Sequence, residues 1–280
     1  MTSLTPEDRF GAPAHEPFAH EPSAQRGGDV LDEPSSAPPL RVVLLDVNGT
    51  LSDTARLADA FEEVGAPGAQ APAWFAGVLR DGFALALHGE GPAFADVALA
   101  GARAVLAASG VPAERLERAS LAVVEAVGEL PLHPDVVPGL AALRRRGLRL
   151  VPLSQGAAAV TDRLLRVSGA GGSVEGALSV SDAPDGLWKP AASTYRWALD
   201  QVGAAPEEAL LVAAHPWDLD GAARVGVSTA WVDRAAGGPA AGAAGAAGAA
   251  GEGGGTPWPA VLAVPDLVVP GLDALADLLD

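Results

Sequence analysis

Four short segments of the chain carry side chains that could act together on one substrate: Asp46-Val47-Asn48-Gly49-Thr50, Ser154-Gln155-Gly156, Lys189-Pro190 and His215-Pro216-Trp217-Asp218. Asp46 is a carboxylate, and a carboxylate can form a covalent ester with a reacting centre. Lys189 supplies a positive charge that would hold Asp46 ionised or bind an anionic substrate. Ser154 and the amides of Gln155 and Gly156 precede a helical pattern, where free N–H groups and the helix dipole favour an anion. Taken singly, each has a plain alternative. Asp46 caps turns as readily as it attacks, Thr50 and Asp218 read as helix caps, Lys189 as a solvated helix entry and His215 as a loop histidine. Their order and spacing within one α/β frame are what single them out.

That frame begins with the aliphatic run Arg41 to Leu45, which reads as a fully buried parallel strand delivering Asp46 to its C-terminal tip. Asn48-Gly49 then favours a tight turn. Helical period follows over 54–64, with Leu57, Ala60, Phe61 and Val64 on one face. It continues over 73–88 with Trp74, Phe75, Val78, Leu79, Phe83 and Leu87, and again over 94–109 and 113–127. No strand interrupts this block, and an ordinary βα connection is far shorter, so residues 54–132 read as an inserted helical cap. Trp74 and Phe75 belong first to its core, with Phe75 also a candidate substrate contact.

The α/β pattern resumes with a helix over 134–146, a strand over 148–154, a helix over 156–167 and a short strand over 177–180. A helix over 191–202, strands at 209–214 and 228–232, an edge strand at 266–269 and a helix over 272–279 complete it. Strands alternating with helices imply a Rossmann-like, doubly wound parallel sheet with helices on both faces. Residues 40–53 and 133–280 would form this core domain. The C-terminal ends of its strands would bring the chemical segments to one edge.

Composition narrows the function. A chain of 280 residues that is 49% hydrophobic has material for a large core plus a cap. It contains no cysteine, which excludes disulfides, thiol catalysis and cysteine-based zinc sites. A net charge of −17 argues against nucleic acid and anionic membrane as partners. No apolar run is long enough to span a bilayer, and residues 1–25 lack a signal-peptide core, so a cytoplasmic protein is expected. Richness in Ala, Gly, Pro and Arg points to a GC-rich bacterial genome. Residues 1–39 read as a disordered tail, in which Ala14-His15-Glu16-Pro17 recurs as Ala19-His20-Glu21-Pro22, a chance repeat rather than a metal site. The Gly/Ala run at 237–255 reads as a surface loop.

With these motifs in place, the chain resembles the haloacid dehalogenase superfamily, and within it the type II (S)-2-haloacid dehalogenase group. Asp46-Val47-Asn48-Gly49-Thr50-Leu51 matches the first motif, and Leu153-Ser154-Gln155-Gly156 resembles the second. Trp188-Lys189-Pro190 with Tyr195 resembles the third, and Val212 to Asp218 the fourth. The resemblance implies that Asp46 attacks the carbon bearing a halogen and that water then hydrolyses the aspartyl ester. It implies that Ser154 and Lys189 bind the substrate carboxylate or orient Asp46, and that Tyr195 supports the lysine. Asp218 would help to position the hydrolytic machinery. Asn48, Thr50, Gln155, Tyr195 and Phe75 would surround a small anionic substrate. No cofactor is implied, and a homodimer is left open.

Departures from the family pattern shape the expectations further. Asn48 stands where superfamily phosphatases carry a second Asp, and an amide cannot transfer a proton usefully at neutral pH. Ala214 stands where they hold Mg²⁺ with an acid, so Mg²⁺ enters only if the chain is a phosphatase. The dehalogenases' halide-binding cap arginine follows a tryptophan, yet Trp74 is followed by Phe75. Arg80, about one and a half helical turns further on, is the candidate substitute. His215 replaces the fourth motif's Asn and becomes a candidate general base. Three readings follow: a metal-independent dehalogenase-type hydrolase, a phosphatase that tolerates Asn48, and a non-catalytic member that binds a ligand.

Overall fold

Val42, Val43, Leu44 and Leu45 are apolar without alternation, and they form strand β1 (Val42–Leu45), buried on both faces. In the computed structural model, which describes residues 39–235 and 257–279, β1 lies between β2 (Arg149–Ser154) and β4 (Ala209–Ala213). Beyond them lie β3 (Leu178–Ser179), β5 (Ser228–Val232) and β6 (Leu267–Val269). The order is β3-β2-β1-β4-β5-β6, and every pairing is parallel. The chain winds outward from β1 in both directions, so the crevice beside the β1 and β4 tips is a topological switch point, where open α/β sheets bind ligands.

The pleat sorts β1 into two layers. Val43 and Leu45 join a cluster with Leu140 and Leu143 of α5 (Val136–Arg145) and Leu272 and Leu275 of α9 (Leu272–Leu278). Val42 and Leu44 join a second cluster with Leu199 of α7 (Ala192–Val202) and Leu219 of α8 (Pro216–Ala223). The second cluster continues without a break into the helices that follow β1: α1 (Leu57–Glu63), α2 (Ala71–Leu87), α3 (Phe94–Ala108) and α4 (Ala113–Val127). Trp74 belongs to that interior, as expected, with its indole N–H donating to the Ala98 carbonyl at 3.2 Å.

The helix expected over 156–167 starts later, as α6 (Ala158–Val167). The Ser154 hydroxyl accepts the Gly156 N–H at 3.0 Å and bends the chain into a turn before the helix can begin. Among the described residues no helix is long and apolar enough to cross a membrane. The expected tail at 1–39, with its His15 and His20 repeat, and the expected loop at 237–255 fall almost wholly outside the described residues.

Candidate active site

Lys189 is the only lysine in the chain and Tyr195 the only tyrosine, and both are fully buried beneath the C-terminal tips of the strands. The Lys189 ammonium donates to Asp46 Oδ1 at 2.8 Å, to Asp218 Oδ2 at 2.6 Å and to the Leu153 carbonyl at 3.1 Å. An ammonium has three N–H donors, so the protein satisfies all of them. Gln155 clasps the Lys189 backbone from both sides, its amide donating to the Lys189 carbonyl at 3.0 Å and accepting the Lys189 N–H at 3.2 Å. The following peptide, Lys189-Pro190, is cis. Tyr195 donates to Asp218 Oδ1 at 2.5 Å, which fixes the second carboxylate in turn.

Two carboxylates thus share one cation, and their surroundings push them apart. Burial works to raise the Asp46 pKa, but the Lys189 charge and the hydrogen bond from His215 outweigh it and hold the group well below the usual carboxylate range. Asp218 goes the other way: burial raises its pKa, and the Asp46 charge adds to that against the pull of Lys189. Burial would lower the pKa of Lys189, yet the charges of Asp218 and Asp46 raise it, so it stays an ammonium. Negative charge therefore concentrates on Asp46, the carboxylate that faces the pocket.

The second oxygen of Asp46 is also held. Oδ2 accepts the Thr50 hydroxyl at 2.7 Å and lies 2.9 Å from Nδ1 of His215. Thr50 in turn accepts the Ala214 N–H at 2.8 Å, which ties the loop after β1 to the loop after β4. Gly49 permits this approach. Its φ is +80°, and a Cβ there would lie 3.1 Å from the His215 ring. Arg234 braces the same loop from behind. It donates through Nε to the Thr50 carbonyl at 3.1 Å, with a second contact from Nη2, and through Nη1 to Asp135 at 2.7 Å.

Asp46, Asn48, Gln155, His215 and Trp217 form the floor of a pocket whose roof is Phe75 and Leu79 of α2 with Phe94 of α3. Its volume is about 10 Å³, room for roughly one water molecule. Aromatic contacts hold it shut. The Trp188 indole N–H donates to the Pro92 carbonyl at 2.8 Å, its ring stacks on Phe94 with centroids 5.8 Å apart, and Phe83 meets Trp217 edge-on at 4.8 Å. His215 stacks on Trp217 at 5.2 Å.

Of the residues expected to touch substrate, Asn48, Gln155 and Phe75 line the pocket. Arg80 does not: its side chain is 76% exposed and pairs with the adjacent Asp81 at 2.8 Å. Helical geometry turns it to solvent, so the substitute for a cap arginine is corrected. Ser154 closes a backbone turn and Thr50 positions Asp46. Tyr195 reaches the lysine only through Asp218, and Lys189 has no donor left for a substrate carboxylate. These four are positioning groups because their polar atoms are spent inside the protein. Phe94 and Arg234 were not singled out from sequence, and Leu79 and Trp188 were named only as a helix-face residue and as part of the third motif. The uniqueness of Lys189 and Tyr195 was a compositional signal that pointed at the site.

The donor set does not fit Mg²⁺. A hard dication needs about six oxygen ligands, whereas Asp46 and Asp218 are turned onto an ammonium and Ala214 offers no side-chain oxygen. Among the described residues, no cluster of three His, Asp or Glu side chains could hold a metal ion.

The sequence model of the haloacid dehalogenase-like hydrolases matches residues 40–226. The chain is similar to a phosphoserine phosphatase of Thermus thermophilus, 36% identical over 128 residues that make up 45% of this chain and 50% of that protein. It is also similar to an (S)-2-haloacid dehalogenase of Pseudomonas sp. strain CBS-3, 27% identical over 200 residues, 70% of this chain and 86% of that one. The chain spans about half the length of the first curated relatives it matches. An L-2-haloacid dehalogenase from Xanthobacter autotrophicus, solved with chloropropionic acid covalently bound, shares the fold. Its TM-score is 0.69 at 24% identity, covering 85% of this chain and 98% of that one. The match over residues 40–226, the parallel sheet and the motifs gathered at its switch point place this chain in the haloacid dehalogenase-like hydrolase family.

Proposed function

We propose that this protein is a hydrolase in which Asp46 displaces halide from a small 2-halogenated carboxylic acid or acid derivative, without a metal. One observation carries the reading: a buried carboxylate, held ionised by Lys189, faces an apolar pocket with an imidazole 2.9 Å from its second oxygen. An oxygen of Asp46 attacks the carbon, a C–O bond forms, and the C–X bond breaks with its electron pair leaving on halide. Water then attacks the carbonyl carbon of the ester and His215 takes its proton. The Asp46 carboxylate is restored, and the alcohol, halide and a proton leave. Lys189, Asp218, Thr50 and Gln155 keep the nucleophile oriented through both steps.

The similarity to a phosphoserine phosphatase favours a second reading, phosphoryl transfer to Asp46. Asn48 offers no proton for the leaving group, and a phosphate dianion would meet no free cation in the pocket among the described residues, so displacement at carbon is better supported. The test is mass spectrometry of the Asp46 peptide after quenched incubation with 2-chloropropionate, 2-chloropropionamide and phosphate monoesters, with and without Mg²⁺. An ester on Asp46 with halide release in the absence of metal is expected, and His215→Ala should accumulate that ester. Phosphate release that requires Mg²⁺ would establish the second reading. Ligand binding with neither product nor adduct would make the protein a binding member.

A further inference from the structure

We propose that the substrate is uncharged beside its reacting carbon, a small 2-halogenated amide or comparable neutral carbonyl compound, rather than a 2-haloacid anion. The inference rests on Asp46 being the nucleophile, and it concerns which compound reaches it.

Charge balance carries it. Asp46, Asp218 and Lys189 are all buried, so two carboxyl groups share a single ammonium. The three N–H groups of Lys189 end on Asp46, Asp218 and the Leu153 carbonyl, so none points at the pocket. Arg80 lies in solvent with Asp81. Among the described residues no other Lys or Arg lines the pocket, and residues 236–256 contain neither. An anion entering would lose its water without gaining a counter-charge from these side chains, and would stand beside the ionised Asp46.

The groups that do line the pocket suit a neutral polar ligand. Phe75, Leu79, Phe94 and Trp217 provide an apolar wall. The half-buried Asn48 side chain has no partner among the described residues, and its amide can donate to and accept from a carboxamide at once. Nδ1 of His215 is directed at Asp46, and in the tautomer that donates there Nε2 carries a lone pair able to accept an amide N–H. Turnover of a 2-haloamide follows the two steps above and yields the 2-hydroxyamide, halide and a proton.

The experiment pairs binding with turnover on the full chain. Calorimetry at pH 8 compares lactamide with lactate, and halide release compares 2-chloropropionamide with 2-chloropropionate. At least tenfold tighter binding of lactamide and at least tenfold higher kcat/KM for the chloroamide are expected. Tighter lactate binding, or preferred turnover of the chloroacid, overturns the inference and leaves the aspartyl ester mechanism standing. Preferential lactamide binding with no halide release from either compound supports the charge preference and overturns the proposed reaction instead. Binding of neither compound overturns the inference.

Discussion

Replacing Lys189 by methionine removes the one cation between Asp46 and Asp218 while keeping most of the side-chain volume. Each ion pair, at 2.8 and 2.6 Å, is worth about 6 kcal/mol of attraction at an effective dielectric of about 20. The variant does not lose all of that, because the orphaned pair can take up a proton. Protonating a carboxyl whose ordinary pKa is 3.8 costs about 4 kcal/mol at pH 7 and about 1.6 kcal/mol at pH 5. That cost sets the destabilisation, and it agrees with the roughly 3–5 kcal/mol typical of a broken buried pair. At about 2–4 °C per kcal/mol for a domain of this size, Tm should fall by roughly 8–16 °C at pH 7 and by less than half that at pH 5. The sign follows from linkage. Above pH 3.8 the variant's native state binds more protons than its unfolded chain, so its deficit grows as pH rises. In the unsubstituted protein Asp46 works in the opposite sense. Its lowered pKa contributes stability above 3.8 that is lost as pH falls below it. Thermal unfolding of both proteins by circular dichroism at pH 5 and 7 reads the difference. An equal deficit at the two pH values, or none at pH 7, would refute the shared-cation reasoning.

Thr50→Val keeps the shape of the side chain but strands the Ala214 N–H and leaves His215 as the remaining partner of Asp46 Oδ2. It should cost about 1–3 kcal/mol in denaturant unfolding and lower kcat more than it raises KM. Gly49→Ala places a Cβ at positive φ and 3.1 Å from His215. About 1–2 kcal/mol of stability should be lost, with a His215 imidazole resonance displaced in NMR spectra. Gly82→Ala would set a methyl 2.2 Å from the Trp188 ring. It should cost about 1–3 kcal/mol and part α2 from Trp188, seen as a red-shifted tryptophan emission.

The strand and helix order was legible because each element carries its own period. β1 is aliphatic without alternation, and α1 repeats apolar residues at helical spacing. The convergence of Asp46, Lys189 and Asp218 was also legible, since parallel strands must deliver their C-terminal ends to one edge. Direction of side chains was not. Arg80 shares a helix with the pocket residues Phe75 and Leu79, but its position on that helix turns it to solvent, and sequence spacing alone did not separate the two faces. Ser154 and Tyr195 were placed around the substrate by the family resemblance of their motifs. Whether a polar group faces a ligand or the protein depends on partners distant in sequence, such as the Asp218 carboxylate for Tyr195. Arg234 was invisible for the same reason. It acts on a carbonyl 184 positions away in the chain, and no local pattern announces that.

The two tryptophans beside the chemical groups link closure of the pocket to its reactivity. Trp188 precedes Lys189 and grips Pro92 and Phe94, while Trp217 lies between His215 and Asp218 and grips Phe83. A pocket of about 10 Å³ admits no substrate, so α2 and α3 must part for entry. Opening breaks two aromatic pairs, about 0.5–1.5 kcal/mol each beyond area, and a hydrogen bond of about 1 kcal/mol. An opening cost of roughly 2–4 kcal/mol leaves the open state populated at about 0.1–3%. The penalty falls on apparent substrate affinity, but the same contacts press on the segments that hold Lys189, His215 and Asp218. For the reaction proposed above, the aspartate is most firmly oriented when the roof is down and water is largely excluded, which would favour attack on bound substrate over idle exchange with solvent.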